Sequence, residues 1–190
     1  MNIKHVATKK NTTTATTTSS TSSSNSKFER FVGDNVTLWK GDYFDLLVES
    51  SSEVEEESSS SESSSFDAIY DRASMVAIAL QLRPVYVKIL DRLLKPNGKL
   101  LLVAVERKSS STNKEATKKG PPYSIPETTV RELFADLDGN ENNEYSYSVT
   151  LLEETDQLVE KPQDKKRYPE LDQLLETVYV IHKNKKQKNE

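Results

Sequence analysis

The stretch from Phe66 to Val105 leaves few folds open. "FDAIYD" (66–71) is a short, nearly continuous apolar run, the pattern of a strand covered on both faces of a sheet. In "LRPVYVKILDRLL", Leu82, Val85, Tyr86, Ile89, Leu90 and Leu93 recur at helical spacing, and Pro84 suits a first helical turn. "KPNG" (95–98) stops the helix, because Pro cannot continue it and Gly98 tolerates a left-handed turn. "KLLLVAV" then reads as a second strand buried on both faces. Strand, helix, turn and strand make a βαβ unit, so the two strands are predicted to be parallel and joined right-handedly.

The flanking blocks extend this α/β pattern. Val36 and Leu38 alternate with Thr37 and Trp39, which predicts a strand over about Asn35–Lys40, broken by Gly41-Asp42. Beyond Val105, "KSSSTNKEATKK" reads as a flexible loop and "GPPYSIPE" as a stiff one. "IPETTVRELFADL" starts a helix, with Pro126 and Glu127 in its first turn. "YSYSVTLLEE" and "LLETVYVIHK" read as two further strands, and the polar connection between them is too long for a tight hairpin.

Not all of the 190 residues can contribute to a core. Residues 11–26 offer no anchoring side chain, and residues 50–65 hold ten Ser, five Glu and one Val. Such segments bury too little apolar surface to offset the entropy of ordering, and both read as disordered. The Ser/Glu run has the look of a tolerated loop insertion, with phosphorylation as the alternative. The predicted organisation is a low-complexity segment at 1–27, one domain at 28–184 with an insert at 50–65, and a basic tail at 185–190.

Charge and composition exclude several function classes. With 26 basic and 30 acidic residues the net charge is -4, which supplies neither a nucleic-acid stripe nor a membrane patch. There is no cysteine, and His5 and His182 lie far apart, so neither a disulfide framework nor a metal site is expected. No stretch approaches the ~20 apolar residues of a membrane helix.

The polar residues at the predicted strand ends are the candidates for function. Asp42 follows the first strand, and Asp71 and Arg72 follow the second. In an open parallel sheet such ends share a rim, and ligands bind there. A carboxylate at that rim can accept from the exocyclic amine of a base, and a guanidinium can pair with a carboxylate through two parallel bonds. Asp after a strand is also ordinary turn chemistry, and an adjacent Asp and Arg are more often a surface pair than a site. No catalytic set or phosphate-binding loop stands out.

"FDAIYDRASMVAI", a following helix ending in "LL", "GKLLLVAV" and "GPPYSIPETTVRELF", in that order, resemble the thiopurine S-methyltransferase family. "NVTLWKGDYFDL" is similar to another strand-end block of that family and "LETVYVIHK" to its last strand. The resemblance implies a Rossmann-like class I methyltransferase sheet, with parallel strands, crossover helices and an antiparallel last strand. It implies S-adenosyl-L-methionine as cofactor, with Asp42, Tyr43 and Arg72 as contacts. It places Arg72, Pro121, Pro122 and Tyr123 beside the acceptor and puts Glu106, at the end of the "LLLVAV" strand, where the family often carries an acid, which makes it the one candidate for a catalytic role, in deprotonating the acceptor. "VAVERK" departs from the family pattern there.

The implied reaction is methyl transfer to a thiol or thiopurine-type sulfur, with halide or thiocyanate methylation, or a non-catalytic methyltransferase-like protein, as alternatives. The implied partner is a small-molecule acceptor, with no nucleic acid and no membrane, and the implied protein is monomeric and cytoplasmic. One further departure concerns the front of the domain. Residues 1–27 contain no Gly and no acid, so the family's Gly-containing loop and ribose-binding acid are not found there. The chain therefore reads as the C-terminal part of such a domain.

Overall fold

The computed structural model describes residues 28–50, 66–110, 115–139 and 144–186. They belong to two compact units divided between Ser58 and Ser59. The disorder expected for residues 11–26 and for most of 50–65 falls outside the described residues.

The first unit is a hairpin followed by a helical stretch. Strand β1 (Glu29–Val32) pairs antiparallel with β2 (Thr37–Lys40), and Gly33 donates its N–H to the Val36 carbonyl at 2.7 Å to close the turn. β2 matches the predicted strand, while β1 was not anticipated. A 3₁₀ helix at Tyr43–Ser50 follows Asp42. Trp39 lies at an exposed strand face, edge-on to Phe28 with ring centres 6.3 Å apart and under the Arg30 guanidinium.

The second unit is a four-stranded sheet in the order β3-β4-β6-β5, formed by β3 (Phe66–Arg72), β4 (Leu94–Lys108), β5 (Tyr145–Asp156) and β6 (Gln173–Lys185). β3 and β4 run parallel from Ala68↔Lys99 to Arg72↔Val103, linked by helix α1 (Arg83–Leu93), as the βαβ pattern predicts. β6 is antiparallel to both β4 and β5. Helix α3 (Glu127–Asp138) packs on α1 and on β5.

Three expectations are corrected. β3 is not covered on both faces: it is the end strand of this sheet, and Phe66 and Tyr70 are exposed. The left-handed residue after α1 is Asn97 (φ 63°), not Gly98. Gly98 is needed for room instead, since a Cβ there would sit 2.8 Å from both the Leu94 side chain and the Lys95 carbonyl. The loop after β4 includes a helical turn, α2 (Glu115–Lys118), because Ala116 buries itself with Leu171 and Leu174.

The core lies where the apolar residues of β4 and β6 meet the helices. Leu100, Leu102, Tyr179 and Ile181 are buried from the sheet, as are Tyr86, Val87, Ile89 and Leu90 from α1, and Val130 and Phe134 from α3. Lys183 is buried as well. Its Nζ pairs with the Asp91 carboxylate at 2.8 Å and donates to the Leu94 carbonyl at 3.0 Å, tying β6 to the end of α1. Among the described residues no helix is long and apolar enough to cross a membrane, and no cluster of potential metal ligands occurs.

Candidate functional site

The turn after β3 decides which of its polar residues can meet a ligand. Asp71 points inward and is 2% exposed. Its Oδ1 accepts from the N–H groups of Ser74 at 3.2 Å and Met75 at 3.4 Å, and its Oδ2 from the Tyr86 hydroxyl at 2.9 Å. Burial pushes its carboxyl above the usual aspartate range, with those hydrogen bonds opposing. These bonds close the chain over Ala73, which sits at φ 72°, a left-handed conformation that costs a non-glycine residue about 1–2 kcal/mol. Arg72, next in sequence, is turned outward.

So Asp71 takes no part in the predicted convergence of two carboxylates and a guanidinium on one rim. Asp71 serves the turn. β2 pairs with β1 in a sheet of its own, so no shared sheet carries Asp42 to the rim of β3. Asp42 is exposed, with Oδ1 accepting from the Phe44 N–H at 3.0 Å. Its other oxygen adds acceptor capacity beyond the turn. Tyr43 opens the 3₁₀ helix, edge-on to Phe44.

Arg72 opens onto a cleft of about 430 Å³ at the end of the parallel strands. Val76, Ala77, Val103 and Val105 provide apolar walls, and Pro121 and Pro122 complete them. Three polar residues join Arg72 there: Arg167, Tyr168 and Glu176. The Arg167 guanidinium lies 5.3 Å from the centre of the Tyr168 ring. Neither Arg72 nor Arg167 has an ion-pair partner among the described residues. Glu176 accepts from Gln157 Nε2 at 3.5 Å. Two such cations over an apolar floor suit a flat anionic ligand, and the carboxylate suits an N–H on that ligand.

The other expected site residues separate. Pro121 and Pro122 share the cleft with Arg72, following cis peptide bonds at both prolines. Tyr123 faces a wider groove of about 840 Å³, together with Arg107, Lys108 and Thr129. Glu106 follows Val105 on β4 and so projects to the opposite face of the sheet. It lies 3.7 Å from Lys108 Nζ and does not line the cleft. Arg167 and Tyr168 were missed because they sit in a long polar connection with no periodicity. Glu176 carried a readable signal, an acid interrupting the apolar run "LLETVYVI".

Comparison with known proteins agrees with this architecture. The family profile described as Thiopurine S-methyltransferase (TPMT) matches residues 1–184. Thiopurine S-methyltransferase of Vibrio atlanticus is 31% identical over 157 residues, covering 83% of this chain and 57% of the relative. That of Aliivibrio salmonicida is also 31% identical over 157 residues, 83% of this chain and 58% of the relative. That of Legionella pneumophila is 39% identical over 97 residues, 51% of this chain and 36% of the relative. The chain thus spans somewhat more than half the length of the first two relatives. With the profile covering the βαβ unit, the Arg72 turn and the Pro121–Pro122 connection alike, the chain belongs to the thiopurine S-methyltransferase family.

Proposed function

We propose that this chain takes part in S-adenosylmethionine-dependent methyl transfer to the sulfur of an aromatic or heterocyclic thiol. The observation that carries this is the apolar cleft bearing two guanidiniums, Arg72 and Arg167, that have no ion-pair partner among the described residues, in a member of this family. When bound, the cofactor supplies an electrophilic methyl group on a sulfonium. Groups of each unit, taken by themselves, suit parts of that molecule. Asp42 would accept from the adenine amine and Tyr43 would lie along the base. Arg72 would pair with the carboxylate end or steady the acceptor.

The residues of the cleft need perform little proton chemistry. Guanidiniums close to a thiol favour its anion, so Arg72 and Arg167 hold the acceptor as thiolate. The attacking sulfur then brings its own electron pair, and the cleft contributes placement and exclusion of water. Val103, Val105, Pro121 and Pro122 provide the dry walls, and Glu176 accepts an N–H of the ring.

The test is transfer from methyl-labelled S-adenosylmethionine to a thiopurine, a thiophenol, iodide and thiocyanate in parallel. Where transfer occurs, the two aromatic thiols are the acceptors expected. Arg72→Ala should lower kcat/KM by at least about tenfold, and more than Asp42→Ala does. Methylated halide alone would establish the inorganic acceptor. No transfer and no cofactor binding would establish a non-catalytic chain.

A further inference from the structure

The connection from Lys119 to Pro126 carries Pro121 and Pro122 to the cleft, and two buried arginines hold it there. β3 stops pairing with β4 at Arg72↔Val103. Past that point this connection occupies the vacated edge of β4. Ile125 donates its N–H to the Val105 carbonyl at 2.7 Å, and the Arg107 N–H donates to Ser124 Oγ at 3.0 Å. The Tyr123 N–H donates to the Val76 carbonyl at 2.6 Å. Proline has no N–H, so residues 121–122 cannot pair as a strand, and nearby carbonyls must find donors elsewhere.

Arg83 and Arg107 supply those donors. Arg83 is 1% exposed and gives Nη1 to the Ser124 carbonyl at 3.1 Å and Nε to the Ile78 carbonyl at 3.3 Å. Arg107 is 6% exposed, and its Nη1 reaches the carbonyls of Lys119 and Pro122. Neither side chain has a carboxylate partner among the described residues, and Arg83 Nη2 and Arg107 Nε find no acceptor. Burial lowers the Arg83 pKa accordingly. A buried cation without a counter-ion is costly, and apolar side chains of similar volume would cover a merely structural loop better. The arginines make sense if the exact placement of this loop matters.

We infer that Arg83 and Arg107 are positioning residues that set how far the Pro121–Pro122 wall stands from Arg72, and so which acceptors the cleft admits. Arg107 touches the cleft lining twice. Besides the Pro122 carbonyl, its guanidinium lies 5.2 Å from the centre of the Tyr168 ring. Gly120 keeps the loop close-packed on itself, since a Cβ there would lie 2.3 Å from the Tyr123 ring. The kinetic part of this inference rests on the methyl-transfer reading. The structural part stands without it.

Amide exchange by NMR separates the two, using Arg83→Met, Arg107→Met and the lysine variants at both positions. The amides of Tyr123 and Ile125 should exchange at least about tenfold faster in the methionine variants, with Leu102 and Val180 unchanged. Lysine keeps the charge but loses the fork that serves two carbonyls, so intermediate acceleration is expected. KM for the thiol should rise about tenfold with kcat changed less than about threefold. Unchanged exchange at Tyr123 and Ile125, acceleration spread evenly over β4 and β6, or a fall in kcat at constant KM would each overturn the inference. Should a methionine variant not fold, its lysine counterpart decides by the same criteria. Should the parent transfer no methyl group, the exchange measurement decides alone, and only the methyl-transfer reading falls.

Discussion

Replacing Asp71 with alanine tests whether one carboxylate shapes the turn that presents Arg72. The side chain is 2% exposed and accepts from two backbone N–H groups and the Tyr86 hydroxyl. Asp71→Ala removes that acceptor from donors that stay buried, because Ser74 is 4% and Met75 0% exposed. A buried donor left without its partner costs about 1–3 kcal/mol. The bonds to Ser74 and Met75 are long, at 3.2 and 3.4 Å, so about 1 kcal/mol each is reasonable. The Tyr86 contact, at 2.9 Å, adds about 1–2 kcal/mol. Against this, removing the carboxyl also removes the cost of burying a polar group, about 1 kcal/mol. The expected net loss is about 2–3 kcal/mol. With a urea dependence of about 2 kcal/mol per molar, the unfolding midpoint should fall by about 1–1.5 M. A cycle with Tyr86→Phe should show coupling of about 1 kcal/mol. A loss under about 1 kcal/mol with no coupling would mean that the packing of Met75 and Val76 holds the turn unaided.

Two further outcomes follow from the same turn. Burial raises the Asp71 pKa above its unfolded value, about 3.9. Between those values the folded chain binds more protons than the unfolded one, so this group makes stability fall as pH rises through that window. Asp71→Asn does not titrate, so the parent should lose stability relative to it as pH is raised from about 4, and parallel pH profiles in urea unfolding would contradict this. Ala73→Gly relieves a left-handed alanine worth about 1–2 kcal/mol but frees the unfolded chain by about 0.4–1 kcal/mol. A rise of a few degrees in melting temperature is expected, and a fall would show that the Ala73 methyl packs usefully.

The βαβ unit was readable because its signals are local. Apolar spacing marks α1, Pro84 its start and "KPNG" its stop. The same locality explains the misreadings. An apolar run such as "FDAIYD" reports what a strand is made of, while its burial depends on neighbours that lie elsewhere in the chain. Asp71 and Arg72 looked alike as rim residues, because nothing in their order says which one the Ala73 turn directs inward. At the site, Arg72, Pro121 and Pro122 were accessible through their motifs. Arg167 and Tyr168 reach the cleft only because β6 pairs beside β4, a long-range event with no local trace.

The place of β6 also bears on the order in which the chain can assemble. It comes last of the sheet's strands in sequence, yet it lies between β4 and β5, pairing Lys99 with His182 and Tyr145 with Lys185. On a ribosome, the β3-α1-β4 unit can associate early, whereas β5 emerges with no mate in the sheet and must wait. Its unsatisfied backbone is then open to wrong partners, the hazard of slow, non-local strand pairing. Folding of this half of the sheet becomes all-or-none on the arrival of one segment, "LLETVYVIHK", and a lesion there disconnects β5 as surely as it damages β6 itself.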